Sequence, residues 1–122
     1  MPAEPLIAIV EDDESLRESL VGLIRSLGYR ASAHVSADAF LAAGIANDCD
    51  CVITDIQMPG TSGIDLKLKL TEAGCGVPVI MVTARTEAAL HQRAWASGAA
   101  CLLRKPFAAE ALIECLETAL AA

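Results

Sequence analysis

Four carboxylates stand where this chain could do chemistry. Glu11, Asp12 and Asp13 follow the apolar run Leu6-Ile7-Ala8-Ile9-Val10, and Asp55 follows Cys51-Val52-Ile53-Thr54. Uninterrupted apolar runs of that length read as parallel strands buried on both faces, so their carboxylates emerge together at one sheet edge. Crowded carboxylates repel one another unless a cation joins them. A hard divalent ion such as Mg2+ takes carboxylate oxygens and water in octahedral geometry, with Asp12 and Asp55 as the natural pair of ligands. Asp13 and Glu14 read instead as helix-start residues, since acidic side chains favour the positive end of a helix. Asp55 heads Thr-Asp-Ile-Gln-Met-Pro-Gly-Thr-Ser-Gly, in which Pro59, Gly60 and Gly63 specify a tight, irregular loop. In isolation an aspartate there is as readily a turn-former as a nucleophile.

Two further groups point to the same edge. Thr83 ends the strand-like run Val77-Pro78-Val79-Ile80-Met81-Val82, and Lys105 stands before Pro106 at the start of the loop after a fifth run. Threonine also favours strands for their own sake, and most lysines are solvated. Proline fixes the backbone beside Lys105 and permits a cis bond there. Carboxylates, a hydroxyl and an ammonium drawn from four loops are what phosphoryl transfer to a carboxylate requires. Asp55 attacks as nucleophile, while metal and lysine offset the charge on the transferring group. His34 and His91 belong to no nucleophilic pattern and read as surface or strand-edge residues. Trp95 reads as packing on the sheet or a neighbouring helix, or, if half-exposed, as a partner contact.

The elements that must position these groups are legible from the alternation of apolar runs and helical periodicity. Strands are expected at Leu6 to Val10, Tyr29 to Val35, Cys51 to Asp55, Val77 to Thr83 and Ala100 to Leu103. Helices are expected at about Glu14 to Leu27, from Ser36 as N-cap to near Asn47, Gly63 to Ala73, Glu87 to Ser97 and Ala109 to Leu120. That order predicts an α/β fold, a doubly wound parallel sheet of five strands with helices on both faces. Ligands of such sheets bind at the carboxyl ends of the strands, where the loops 11–13, 55–63, 83–86 and 104–107 lie. With 122 residues, the chain 1–122 is expected to be one domain that buries about two-thirds of its unfolded surface. Aromatics supply only 3% of a chain that is 54% hydrophobic, so its core must be built from Ala, Leu, Ile and Val.

A net charge of -7 argues against a nucleic-acid surface, because such affinity rests on Lys and Arg neutralising phosphates. Five cysteines in no ligand spacing are expected to be free thiols in a reducing cytoplasm. No secretory leader is visible, and no segment approaches the roughly 18 apolar residues of a membrane span, so a cytoplasmic protein without membrane contact is expected.

Four ordered strings now carry a resemblance: IVEDDESLRESL at 9 to 20, TDIQMPGTSGIDL at 54 to 66, VPVIMVTA at 77 to 84 and RKPF at 104 to 107. The chain resembles the receiver domain of bacterial two-component response regulators. More narrowly, it is similar to receivers that precede DNA-binding domains in the nitrogen-fixation and nitrate-response regulator group. The resemblance implies a flavodoxin-like sheet of strand order 2-1-3-4-5. It implies that Asp55 accepts phosphate from a sensor histidine kinase or a phosphotransfer protein, and that Thr83 and Lys105 are the switch hydroxyl and the phosphate-binding lysine. Mg2+ would be held by the Asp12 and Asp55 side chains and the Gln57 carbonyl, with an acidic neighbour acting through water. The family's arginine lies six positions after the first acid of its pair, and Arg17 lies six after Glu11, so the pair is Glu11-Asp12 and Asp13 falls outside it. Gln57 and Arg85 match positions that tune acyl-phosphate lifetime, and phosphorylation-promoted homodimerisation is a further expectation.

One departure bears on signalling. Three residues before the lysine the family usually has an aromatic ring, and this chain has Leu102. The leading expectation is a phosphoacceptor that catalyses only its own phosphorylation and dephosphorylation, signalling through the face near Ala99 to Leu103. The missing ring favours a second reading, an interaction module independent of phosphorylation. A third, an aspartyl-phosphate hydrolase of the haloacid dehalogenase type, wants an Asp two positions after the nucleophile, where Gln57 stands.

Overall fold

A computed structural model describes residues 4–121. Its strands are β1 (Leu6–Val10), β2 (Arg30–His34), β3 (Cys51–Asp55), β4 (Val79–Thr83) and β5 (Cys101–Arg104), and its helices are α1 (Glu14–Ser26), α2 (Ala37–Ala43), α3 (Gly63–Glu72), α4 (Ala88–Ala96) and α5 (Ala109–Ala121). All strand pairs are parallel, in the order β2-β1-β3-β4-β5 that was expected. β1 and β3 have no strictly polar face because helices cover both sides of the sheet. Ile7, Ile9, Ile53, Ile80 and Val82 meet Leu20 and Ile24 of α1 and Leu112 and Leu116 of α5. Ala8, Val10, Val52, Val79 and Met81 face the other way, onto Phe40, Leu66, Leu70 and Ala94 of α2, α3 and α4. Among the described residues, Phe40 is the one large ring that is fully buried, as an aliphatic core requires.

The parallel register brings the site together. Val10 pairs with Thr54, Asp55 with Val82 and Thr83 with Arg104, so the residues that follow β1, β3, β4 and β5 leave the sheet along one edge. Element boundaries differ from the sequence expectation where a backbone group has another partner. Tyr29 stays outside β2 because its N–H closes the end of α1 on the Ile24 carbonyl. α2 stops at Ala43, short of Asn47, because Gly44 takes a left-handed conformation with φ of 67°. A 3-10 turn over Ala46–Asp48 fills the remainder. Ser36 caps α2 as expected, its hydroxyl accepting from the Ala39 N–H. The expectation of five free thiols is corrected for two of them. Cys101 and Cys115, whose Cα atoms lie 6.1 Å apart, are joined as a disulfide between β5 and α5, while Cys49, Cys51 and Cys75 are free and buried.

Candidate functional site

Each candidate side chain is delivered by a local feature of its loop. Asp13 caps α1, its carboxylate accepting from the Leu16 N–H at 3.2 Å, and so belongs to the helix as read from the sequence. Glu11 lies behind it and is buried; its Oε2 accepts from the Asp13 N–H at 3.1 Å. Arg17, one turn into α1, donates from Nη1 to the carbonyl oxygens of Glu11 and Asp12 at 2.9 and 3.4 Å, fixing the backbone of the acidic pair. Asp12 is exposed at the mouth.

Asp55 is buried at the end of β3, and both its oxygens have partners. Oδ1 accepts from the Gln57 N–H at 3.0 Å and Oδ2 from Lys105 Nζ at 2.6 Å. The sharp return of the chain after Asp55 depends on Gly63, whose N–H donates to the Ile56 carbonyl. A Cβ on residue 63 would collide with the Asp55 carbonyl oxygen, so only glycine allows α3 to start this close to β3. Farther along, Asp38 of α2 clasps the same loop, accepting from the Thr61 hydroxyl at 2.7 Å and its N–H at 3.4 Å. No sequence signal had marked Asp38.

Lys105 reaches back across the edge and joins two acids, with Glu11 Oε1 at 3.2 Å from Nζ. The Lys105–Pro106 peptide bond is cis. Burial pushes the Glu11 carboxyl above its usual range. The hydrogen bond from the Asp13 amide opposes that rise, and Asp12 and Asp55 add to it. Burial works against the Lys105 ammonium, but its hydrogen bond to Asp55 and the charges of Asp55 and Glu11 outweigh it and hold its pKa above the ordinary lysine value. Thr83, fully buried at the end of β4, accepts the Arg85 N–H on its hydroxyl at 3.0 Å.

One carboxylate oxygen each of Glu11, Asp12 and Asp55 lies within 4.8 Å of the others. Three acids against one lysine leave an excess of negative charge, and the donors are all hard oxygens. That set suits Mg2+ and offers no nitrogen or sulfur to a softer metal. The Gln57 amide at Asp55 keeps the Gln57 backbone beside this cluster. Glu11, Asp12, Asp55, Gln57 and Lys105 are thus brought together, and Thr83 ends the strand adjoining Asp55. The two histidines lie elsewhere. His34, on edge strand β2, is half-buried against Phe40, and burial lowers its pKa. His91 is on α4. Trp95 is 52% exposed, the half-exposed setting that the sequence reading linked to a partner contact.

The model of the response regulator receiver domain family matches residues 7–117. The chain is 38% identical over 120 residues to the transcriptional regulatory protein FixJ of Azorhizobium caulinodans, covering 98% of this chain and 57% of that protein. It is 38% identical over 117 residues to the response regulator protein TmoT of Ectopseudomonas mendocina, covering 96% and 53%. Among solved structures, the crystal structure of FixJ-N superposes with a TM-score of 0.88 at 31% identity, covering 98% of this chain and 96% of that one. The chain therefore spans a little over half the length of the curated relatives it matches.

Proposed function

This chain belongs to the response regulator receiver domain family of two-component systems, in the FixJ-type group, and on that premise we propose that Asp55 accepts a phosphoryl group from a sensor histidine kinase or a phosphotransfer protein. The observation that carries the reading is Lys105 Nζ, held between Asp55 and Glu11 at 2.6 and 3.2 Å beside a third carboxylate. Glu11, Asp12, Asp55 and the Gln57 carbonyl would hold Mg2+, which when bound neutralises charge on the incoming group. Asp55 is already oriented by the Gln57 amide and Lys105. One of its oxygens bonds to phosphorus as the nitrogen–phosphorus bond of the donor's phosphohistidine breaks, the electron pair leaving with the imidazole. Lys105 then pairs with a phosphoryl oxygen, and the Thr83 hydroxyl donates to another. The chain turns over no separate substrate in this reading; residues 1–122 act as one signalling unit in the cytoplasm, make no nucleic-acid contact of their own, and dimerise or bind a partner through the α4–β5 face once phosphorylated.

Incubation with a small phosphodonor in Mg2+ tests this by intact mass. The wild-type chain gains one phosphoryl group and Asp55→Asn gains none; equal uptake by the two would overturn the assignment. One observation favours the phosphorylation-independent module: Leu102 is partly buried against the Met81 side of the core and has no ring to move. Mg2+ affinity measured with and without beryllofluoride separates the readings, since a pure docking module couples the two ligands not at all.

A further inference from the structure

Arg85, in the loop between β4 and α4, is held at three points. Its N–H donates to Thr83 Oγ1 at 3.0 Å, and its carbonyl is 2.8 Å from His91 Nε2. Its guanidinium pairs with Glu87, Nε lying 3.0 and 3.2 Å from the two carboxylate oxygens and Nη2 2.9 Å from Oε1. A carbonyl can only accept, so Nε2 of His91 carries the proton in the second contact.

Apart from Leu90, which is partly buried against the core, these contacts are what fastens the N-terminal end of α4. Glu87 is the N-cap of α4 but makes no side-chain capping bond, and its carboxylate is turned to Arg85. Within α4 only Ala94 is fully buried. The start of α4 is thus fastened through His91 to the residue whose amide sits on Thr83.

We infer that His91 is a positioning residue that latches α4 to the Thr83–Arg85 loop and passes the state of Asp55 to that helix. This rests on the phosphoacceptor reading of Asp55. If the Thr83 hydroxyl moves toward a phosphoryl oxygen to donate to it, the oxygen draws away from the Arg85 amide and weakens that bond. Arg85 in turn shifts only by drawing on His91 or releasing it. The route needs no ring at Leu102, and it reaches α4 by backbone groups and one imidazole. Because the contact helps keep the Arg85 amide on the Thr83 hydroxyl, its loss frees that hydroxyl for a phosphoryl oxygen and favours the phosphorylated state.

The chain's single tryptophan, Trp95, lies one helical turn beyond His91 and is exposed, so it reports on α4. The test compares wild type, His91→Ala and His91→Gln, with beryllofluoride binding in Mg2+ followed by calorimetry and by Trp95 fluorescence. In wild type, binding shifts Trp95 emission. His91→Ala binds the mimic about three- to tenfold more tightly, the span expected for one net hydrogen bond, and its emission before addition is shifted part of the way toward that of bound wild type. His91→Gln, whose amide can donate to the Arg85 carbonyl, returns both readouts toward wild type. Wild-type affinity and emission in His91→Ala would overturn the latch alone, as would changes that glutamine does not reverse. Calorimetry showing no mimic binding by wild type would overturn the phosphoacceptor reading and the latch with it.

Discussion

Replacing Lys105 by methionine keeps most of the apolar stem and removes the charged end of the side chain. The ammonium lies 2.6 Å from Asp55 and 3.2 Å from Glu11, worth gross attractions of roughly 6 and 5 kcal/mol at an effective dielectric of about 20. Glu11 and Asp55 have side-chain exposures of only 4% and 10%, so neither regains much water when its partner goes. Lysine itself is 22% exposed, and the hydration it recovers in the unfolded chain offsets most of the attraction. The net loss should be about 3–5 kcal/mol, the range for removing one partner of a buried ion pair. Urea denaturation at neutral pH in metal-free buffer reads this directly. In the double variant Lys105→Met/Asp55→Asn one stranded carboxylate is gone, and at least half of the loss should return as a coupling energy. Added Mg2+ should stabilise Lys105→Met more than wild type, because cation binding to the folded chain then relieves more repulsion. A loss below about 0.5 kcal/mol, or a double variant no more stable than the single one, would refute the assignment of Lys105 as the charge that holds these acids together.

Other consequences are open to direct measurement. Gly63→Ala should cost about 1–3 kcal/mol in denaturant and lower phosphoryl uptake, since the new methyl must displace the Asp55 carbonyl; unchanged stability would show that the approach of α3 to β3 is not tight. Burial pushes the Cys51 thiol up to about 12, so above its ordinary value of about 8.5 the unfolded chain loses this proton first and stability falls as pH rises. Denaturation across that range should show Cys51→Ala with an alkaline limb shallower by about 1.4 kcal/mol per pH unit; parallel limbs would contradict the burial. Thiol titration of the unfolded, unreduced protein should find the three free cysteines, rising to five after reduction, whereas five at the outset would exclude the Cys101–Cys115 bond.

Much of the fold was legible because the physics that makes it is local. The unbroken apolar runs ending at Val10 and Thr54 announce strands covered on both faces, and the leucines of α1 repeat at helical spacing. Asp13 could be read as a helix-start residue because capping acts within three residues, and its bond to Leu16 lies at that distance. Boundaries were less legible where a neighbouring element competes for a backbone group, as the end of α1 does for the Tyr29 amide.

By itself the sequence determined that acids, a hydroxyl and a lysine end successive strands, and a parallel sheet carries all strand ends to one edge. Only the tertiary structure decided which of them touch. The contact from Lys105 to Glu11 spans 94 residues and the clasp from Asp38 to Thr61 spans 23, separations at which spacing along the chain carries no information about partners. The Cys101–Cys115 bond and the His91 latch are closer in sequence, at 14 and 6 residues, yet each depends on how a helix lies against its strand or loop. Local propensity fixes where a residue sits in its own element; the packing of one element on another fixes what its side chain meets.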